Sequence, residues 1–141
     1  IRRLSRLGLA DDFGNSRIPL MVLNVVHPLV PDQVADFCGG KDAVLIVEEG
    51  NPEYLEHHIN TILRKADIQT RVHGKDVFPM AGEYNATVIH EGLMGFIEAE
   101  GLGIGHPETI RAEADRVKDV TAGAQSAFPA PLPPPPSPAD T

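Results

Sequence analysis

Cysteine is almost missing from this sequence; Cys38 is the only one. A lone thiol excludes a disulfide within the chain, and with it any zinc or iron–sulfur site built from cysteines of this chain alone. It also points to a reducing compartment, so we expect a cytoplasmic location. Long apolar runs are missing as well. The strongest, such as Ala43 to Val47, fall far short of the ~20 residues a membrane span requires. Positive charge is scarce: twelve Lys and Arg stand against twenty Asp and Glu, a formal net charge of -8. Such a chain has no general pull on phosphate backbones or anionic lipid, so neither nucleic acid nor a membrane surface is expected as a partner. The basic start Ile1-Arg2-Arg3-Leu4-Ser5-Arg6 lacks the apolar stretch of a secretory signal. It also lacks an initial Met, and we expect the segment to belong to a longer protein.

What the chain does have suits one domain: 141 residues, 42% of them hydrophobic. More than half of its thirteen prolines lie between Pro129 and Pro138. Residues 121–141 therefore read as a stiff Pro-rich linker. We expect a folded α/β domain over 17–120, and in 1–16 the end of a preceding element. Leu20 to Val26 is a β-rich run closed by Pro28, and Ala43 to Val47 is almost wholly apolar, as in a strand buried on both faces. Gln69 to His73 is a weaker third strand. Helices are expected between them. Pro31-Asp32 opens the first, Val34, Phe37 and Cys38 face inward, and Gly39-Gly40 stops it. The second has Asn51 as N-cap, Pro52 in its first turn and a stripe of Leu55, Ile59, Ile62, Leu63 and Ala66. A third runs from Asn85 to Glu100 with Ile89, Leu93, Phe96 and Ile97 on one face, and a charged fourth from Pro107 to Val120 with a thin stripe of Ile110, Ala114 and Val117. The order is β-α-β-α-β-α, which predicts a three-layer α/β/α fold with a small, mainly parallel sheet and right-handed crossovers.

In an open parallel sheet, ligands and partners meet the carboxyl ends of the strands. His27, then Glu48 and Glu49, then Gly74-Lys75-Asp76 fall there. Neighbours on a strand point to opposite faces, so Glu48 and Glu49 are not expected to face one substrate together. We read His27, Glu48, Glu49 and Lys75 as interface residues, with one glutamate meeting a neighbouring domain or capping a nearby loop. Six histidines invite a metal, but His57 and His58 are adjacent on a helix and diverge, and His27, His73 and His106 stand alone in the sequence. Gly101-Leu102-Gly103-Ile104-Gly105 follows a helix, not the strand that a dinucleotide fingerprint requires, and reads as a connector. Cys38 sits in a buried stripe with no histidine placed to activate it. Composition and spacing alone give an acidic α/β module with no self-sufficient catalytic constellation and do not name its function; a stand-alone α/β enzyme using His27, Glu49 and Lys75, and a binding module with a proline tail, are two readings to weigh.

The order of several short motifs goes further. Asn24 to Pro31, Asp42 to Tyr54 with its Val47-Glu48-Glu49-Gly50 strand end, Val72-His73-Gly74-Lys75-Asp76, and Gly82-Glu83 resemble one family. It is the transketolase C-terminal-like domain of indolepyruvate ferredoxin oxidoreductase, in the alpha subunit or the long bacterial form. The resemblance covers roughly residues 4–98. It implies a large enzyme that oxidatively decarboxylates aryl 2-oxoacids on thiamine diphosphate with Mg²⁺, passes electrons through [4Fe-4S] clusters to ferredoxin, and transfers the acyl group to coenzyme A. It places those cofactors on other domains and leaves this one to organise domains and subunits, as part of a homo-oligomer. It also implies an earlier strand and helix ahead of Ile1.

Overall fold

The computed structural model describes residues 2–11, 13–50, 52–103, 108, 112–119 and 123, without the side chain of Arg3. In chain order these form α1 (Arg2–Arg6), α2 (Pro31–Cys38), β1 (Ala43–Leu45), α3 (Tyr54–Lys65), β2 (Arg71–His73) and α4 (Ala86–Ala99), with 112–119 helical again. The expectations at Asn51, His106, Ile110 and most of the Pro-rich segment lie outside the described residues.

The centre is one β-α-β unit. β1 and β2 pair in parallel, with Val44 opposite Val72 and Leu45 opposite His73, and α3 joins them. Alternation then decides what each strand residue meets. Val44, Ile46 and Val72 pack with Leu29, Phe37, Ile62 and Ile68 around the buried Val34 and Cys38 of α2 and Ile59 and Leu63 of α3. Full withdrawal from water, as at Val34, Ile59 and Leu63, contributes on the order of 1.5–3 kcal/mol per side chain, and the partly buried ones contribute less. Arg71 and His73 face the other way, toward the end of α4, where the His73 ring meets Phe96 edge-on at 5.4 Å. Helices α2 and α3 therefore pack on one face of a two-stranded sheet, the end of α4 meets the other at Arg71 and His73, and the mixed α/β class holds.

α2 follows its sequence closely: Pro31 stands in the first turn, Asp32 follows, and the chain leaves at Gly40 with φ +72, which glycine adopts without strain. In α3 the buried stripe is as expected at Ile59 and Leu63, but the helix begins at Tyr54, after Pro52, and Ala66 is exposed at its end. α4 begins where Asn85 accepts hydrogen bonds from the backbone of Thr87 and Val88 at 2.9 and 3.1 Å. Its expected inner face is directed inward but only half-buried at Ile89, Leu93, Phe96 and Ile97, while His90 and Gly92 on its two flanks are the buried positions. At Gly92 the cause is local: with no Cβ there, the Phe78 ring lies directly against the helix.

The first expected strand is not one. Residues 20–26 form no ladder, and Leu20, Val22, Val25 and Val26 are exposed. β-propensity reflects packing on a half-buried pleated surface. Here Met21 and Leu23 find such a surface and their outward neighbours do not. The sheet among the described residues is accordingly two-stranded rather than three. The N-terminal segment forms a second small core: Leu4, Leu7 and Leu9 pack with Ala10, Ile18 and Leu93 of α4. Arg6 reaches the buried Glu113 at 3.2 Å and ties α1 to the last helical stretch, whose Val117 is buried as expected.

Candidate functional site

Beyond the carboxyl end of β1 the chain opens a cleft of about 800 Å³. Its apolar floor comes from three elements: Val34, Phe37 and Cys38 of α2, Val44 of β1, and Ile59 of α3. Met21, Leu23, Val26 and His27 line it from the extended segment, and Glu48, Glu49, Tyr54 and His58 from the other side. His27 does not stand alone, because its ring lies 5.9 Å from that of His58.

Both glutamates line this cleft. The expectation that they diverge assumed a strand through residue 49, whereas β1 ends at Leu45 and alternation stops with it. Their roles still differ. Both oxygens of Glu48 accept from the Leu55 backbone N–H, at 3.1 and 3.0 Å. This supplies an acceptor and a negative charge to the first turn of α3, where Glu53 in the N-cap position makes no side-chain cap. Glu49 remains exposed. Lys75 is also committed: its Nζ donates to the Glu48 carbonyl at 2.7 Å and to the Tyr84 hydroxyl at 2.7 Å, and lies 4.8 Å from the centre of the Tyr84 ring. The Lys75 N–H donates to Glu56 Oε2 at 2.9 Å. Tyr84 in turn donates to the Pro79 carbonyl and stacks on Phe78 at 5.1 Å. The four residues singled out from the sequence are thus brought to one end of the sheet. Two of them, Glu48 and Lys75, hold the loops there.

Sequence reasoning missed a second cluster at the end of β2. His73 is held by two carboxylates, with Nδ1 2.6 Å from Asp76 Oδ2 and Nε2 2.8 Å from Glu100 Oε1. Arg71 forms a two-pronged pair with the same Glu100, through Nε at 2.8 Å and through Nη2. Partial burial of the ring works against its protonation, but the bonds to Glu100 and Asp76 outweigh it and raise the His73 pKa above its ordinary 6.5. Arg71 first, then His73, lower the Glu100 carboxyl to about 2. For Asp76, desolvation opposes ionisation, and the Gly74 N–H with His73 overcomes it, lowering the value. The His-x-x-Asp spacing across a turn was visible in sequence; Glu100, 27 residues away, was not.

Among the described residues no three His, Cys, Asp or Glu are placed to hold a metal ion. Burial pushes the Cys38 thiol up, against a smaller opposing effect of Lys41, so it is a core side chain. Among the described residues no helix is long and apolar enough to cross a membrane. No family model, curated protein or solved structure matches the chain.

Proposed function

We propose that this chain is an accessory domain of a thiamine-diphosphate-dependent 2-oxoacid:ferredoxin oxidoreductase acting on indolepyruvate or a related aryl 2-oxoacid, and that it holds domains and subunits together. One structural observation carries the accessory part. The polar groups at the carboxyl end of the sheet are spent on the fold, Glu48 on the start of α3 and Lys75 on the Glu48 carbonyl and Tyr84. What remains at the rim is Glu49, His27 and His58 beside exposed Val26, Val47 and Tyr54. A few polar groups around an apolar patch suit a protein surface better than a reacting centre. The parent enzyme comes from the resemblance, whose motifs at His27–Pro31, Val47–Gly50 and Gly74–Lys75 converge at this end. The finer fold, a three-layer transketolase C-terminal-like domain, belongs to the same reading, as does a cytoplasmic location.

An iron–sulfur cluster does not fit this chain. A [4Fe-4S] cluster takes four thiolates, and the one thiol here is buried between α2 and α3. The reading puts these groups on other domains, and no reaction step is assigned to residues of this one. Two measurements test it. The chain alone, given indolepyruvate, thiamine diphosphate, Mg²⁺ and an artificial electron acceptor, is expected to show no turnover; turnover would favour a stand-alone enzyme using His27, Glu49 and Lys75. In the assembled oxidoreductase, Glu49→Gln is expected to reduce assembly and leave the turnover of what does assemble unchanged. Normal assembly with lost turnover would contradict the accessory role.

A further inference from the structure

The contacts of His73 set a requirement on its charge. Nδ1 lies 2.6 Å from Asp76 Oδ2 and Nε2 lies 2.8 Å from Glu100 Oε1, so each ring nitrogen faces a carboxylate oxygen. Ionised carboxylates only accept hydrogen bonds. Both nitrogens must therefore donate, and the ring does that only as imidazolium. A neutral ring has one N–H and turns a lone pair toward the other carboxylate, so one of the two bonds is lost and repulsion takes its place. The charged groups around the ring come from two sides. Asp76 stands in the turn after β2, and Glu100 stands at the end of α4 with its partner Arg71, on which Asp42 also acts. Leu45, opposite His73 on β1, and Phe96 of α4 carry no charge.

The two carboxylates are not equally free to leave. The Glu100 side chain is 5% exposed and is held a second time by the two-pronged Arg71 pair, whereas the Asp76 side chain is 51% exposed. Water can replace the partners of Asp76, while Glu100 would stay desolvated and one bond short. We propose that His73 is a pH-operated latch on the 74–78 turn: as imidazolium it holds both carboxylates, and as the neutral ring it keeps its proton on Nε2 toward Glu100 and releases Asp76. Asp76 then also gives up the Gly74 N–H, which donates to its Oδ1 at 2.7 Å, because rotation about Cα–Cβ moves both oxygens together. The turn it pins carries Lys75, which holds the Glu48 carbonyl and Tyr84, and Phe78, which lies on Gly92. Release loosens these loops at the carboxyl end of the sheet, while Arg71 keeps the end of α4 in place. Desolvation opposes protonation of the ring and the two carboxylate bonds outweigh it, so the latch opens on the alkaline side of the ordinary 6.5. The inference stands apart from the oxidoreductase reading, since it uses only contacts within this chain.

An NMR titration of the whole nitrogen-15-labelled chain from about pH 5 to 9 tests the proposal, with the His73 ring signals assigned by their absence from His73→Gln. The expected result is a neutral ring in the Nε2–H form and a Gly74 amide that shifts with the His73 midpoint. Above that midpoint the amide loses its protection from exchange, once the hydroxide-catalysed rise is corrected for, while the Arg71 Nε–H keeps its own. Asp76→Asn is the second arm. The Asn amide can donate to the neutral Nδ1 and still accept from the Gly74 N–H. In that variant His73 should titrate lower than in the wild type, and the Gly74 amide should hold its position and protection through the wild-type midpoint. The site is half exposed, so the variant should keep the wild-type circular dichroism. A Gly74 amide that ignores the His73 titration would overturn the proposal. So would a neutral ring protonated on Nδ1, a His73 that titrates at or below 6.5, or an Asp76→Asn chain with the wild-type response.

Discussion

Single side chains settle what each end of the sheet does. Glu48 is the clearest case. It was legible in the sequence as a strand-end carboxylate, yet its partner, the Leu55 N–H, depends on how the 46–53 loop turns, which no spacing rule supplies. Removing that acceptor as Glu48→Ala should cost about 1 kcal/mol, seen as a lower urea midpoint with an unchanged slope. An unchanged midpoint would mean that water caps α3 equally well. At the other end, His73 and Glu100 predict a pH profile. The His73 pKa is raised on folding, so its contribution is full below the ordinary 6.5 and is lost as pH climbs through the folded value. The Glu100 pKa is lowered, so its contribution is full above 4.5 and is lost as pH falls toward 2. Between about 4.5 and 6.5 both are present in full, and stability should decline on either side. His73→Gln should flatten the alkaline decline in urea midpoints; an equal slope in that variant would assign the effect to another group.

At the scale of elements, local signals were readable wherever the chain's own neighbours decide. Pro31 and Gly40 bound α2, and Asn85 caps α4, as the residues themselves imply. Replacing Asn85 by Ala should accordingly lower stability by about 1 kcal/mol in urea titration. Elements decided by distant packing were not readable. Leu20 to Val26 has strand composition but no described strand beside it, and the burial of Gly92 in α4 depends on Phe78 from a separate loop. That contact makes a prediction of opposite sign to helix propensity. Alanine normally stabilises a helix interior over glycine by about 1 kcal/mol. Here a Cβ would overlap the Phe78 ring, and Gly92→Ala should destabilise by about 1–3 kcal/mol in thermal unfolding. Phe78→Leu in the same background should recover part of the loss. A more stable Gly92→Ala protein would show that the ring does not sit there.

Taken whole, the described residues form a β-α-β unit whose second face meets the end of α4 at His73, with α1 packed on α4 at Leu93, and they gather in two small clusters. The mixed α/β class followed from the alternation of apolar runs and helical stripes. The candidate site was legible only as positions: His27, Glu48, Glu49 and Lys75 do gather at one end, but composition could not say that two of them are consumed by the fold. The Arg71–His73–Glu100 cluster escaped because its partners come from separate elements. The central claim is that this domain works inside an aryl 2-oxoacid oxidoreductase without chemistry of its own. Immunopurification, from its source cells, of the native protein or complex that contains this chain tests it most directly. The account predicts material that carries thiamine diphosphate and [4Fe-4S] absorption and reduces ferredoxin with indolepyruvate in a coenzyme A-dependent reaction. Native material free of both cofactors and inert toward aryl 2-oxoacids would contradict it.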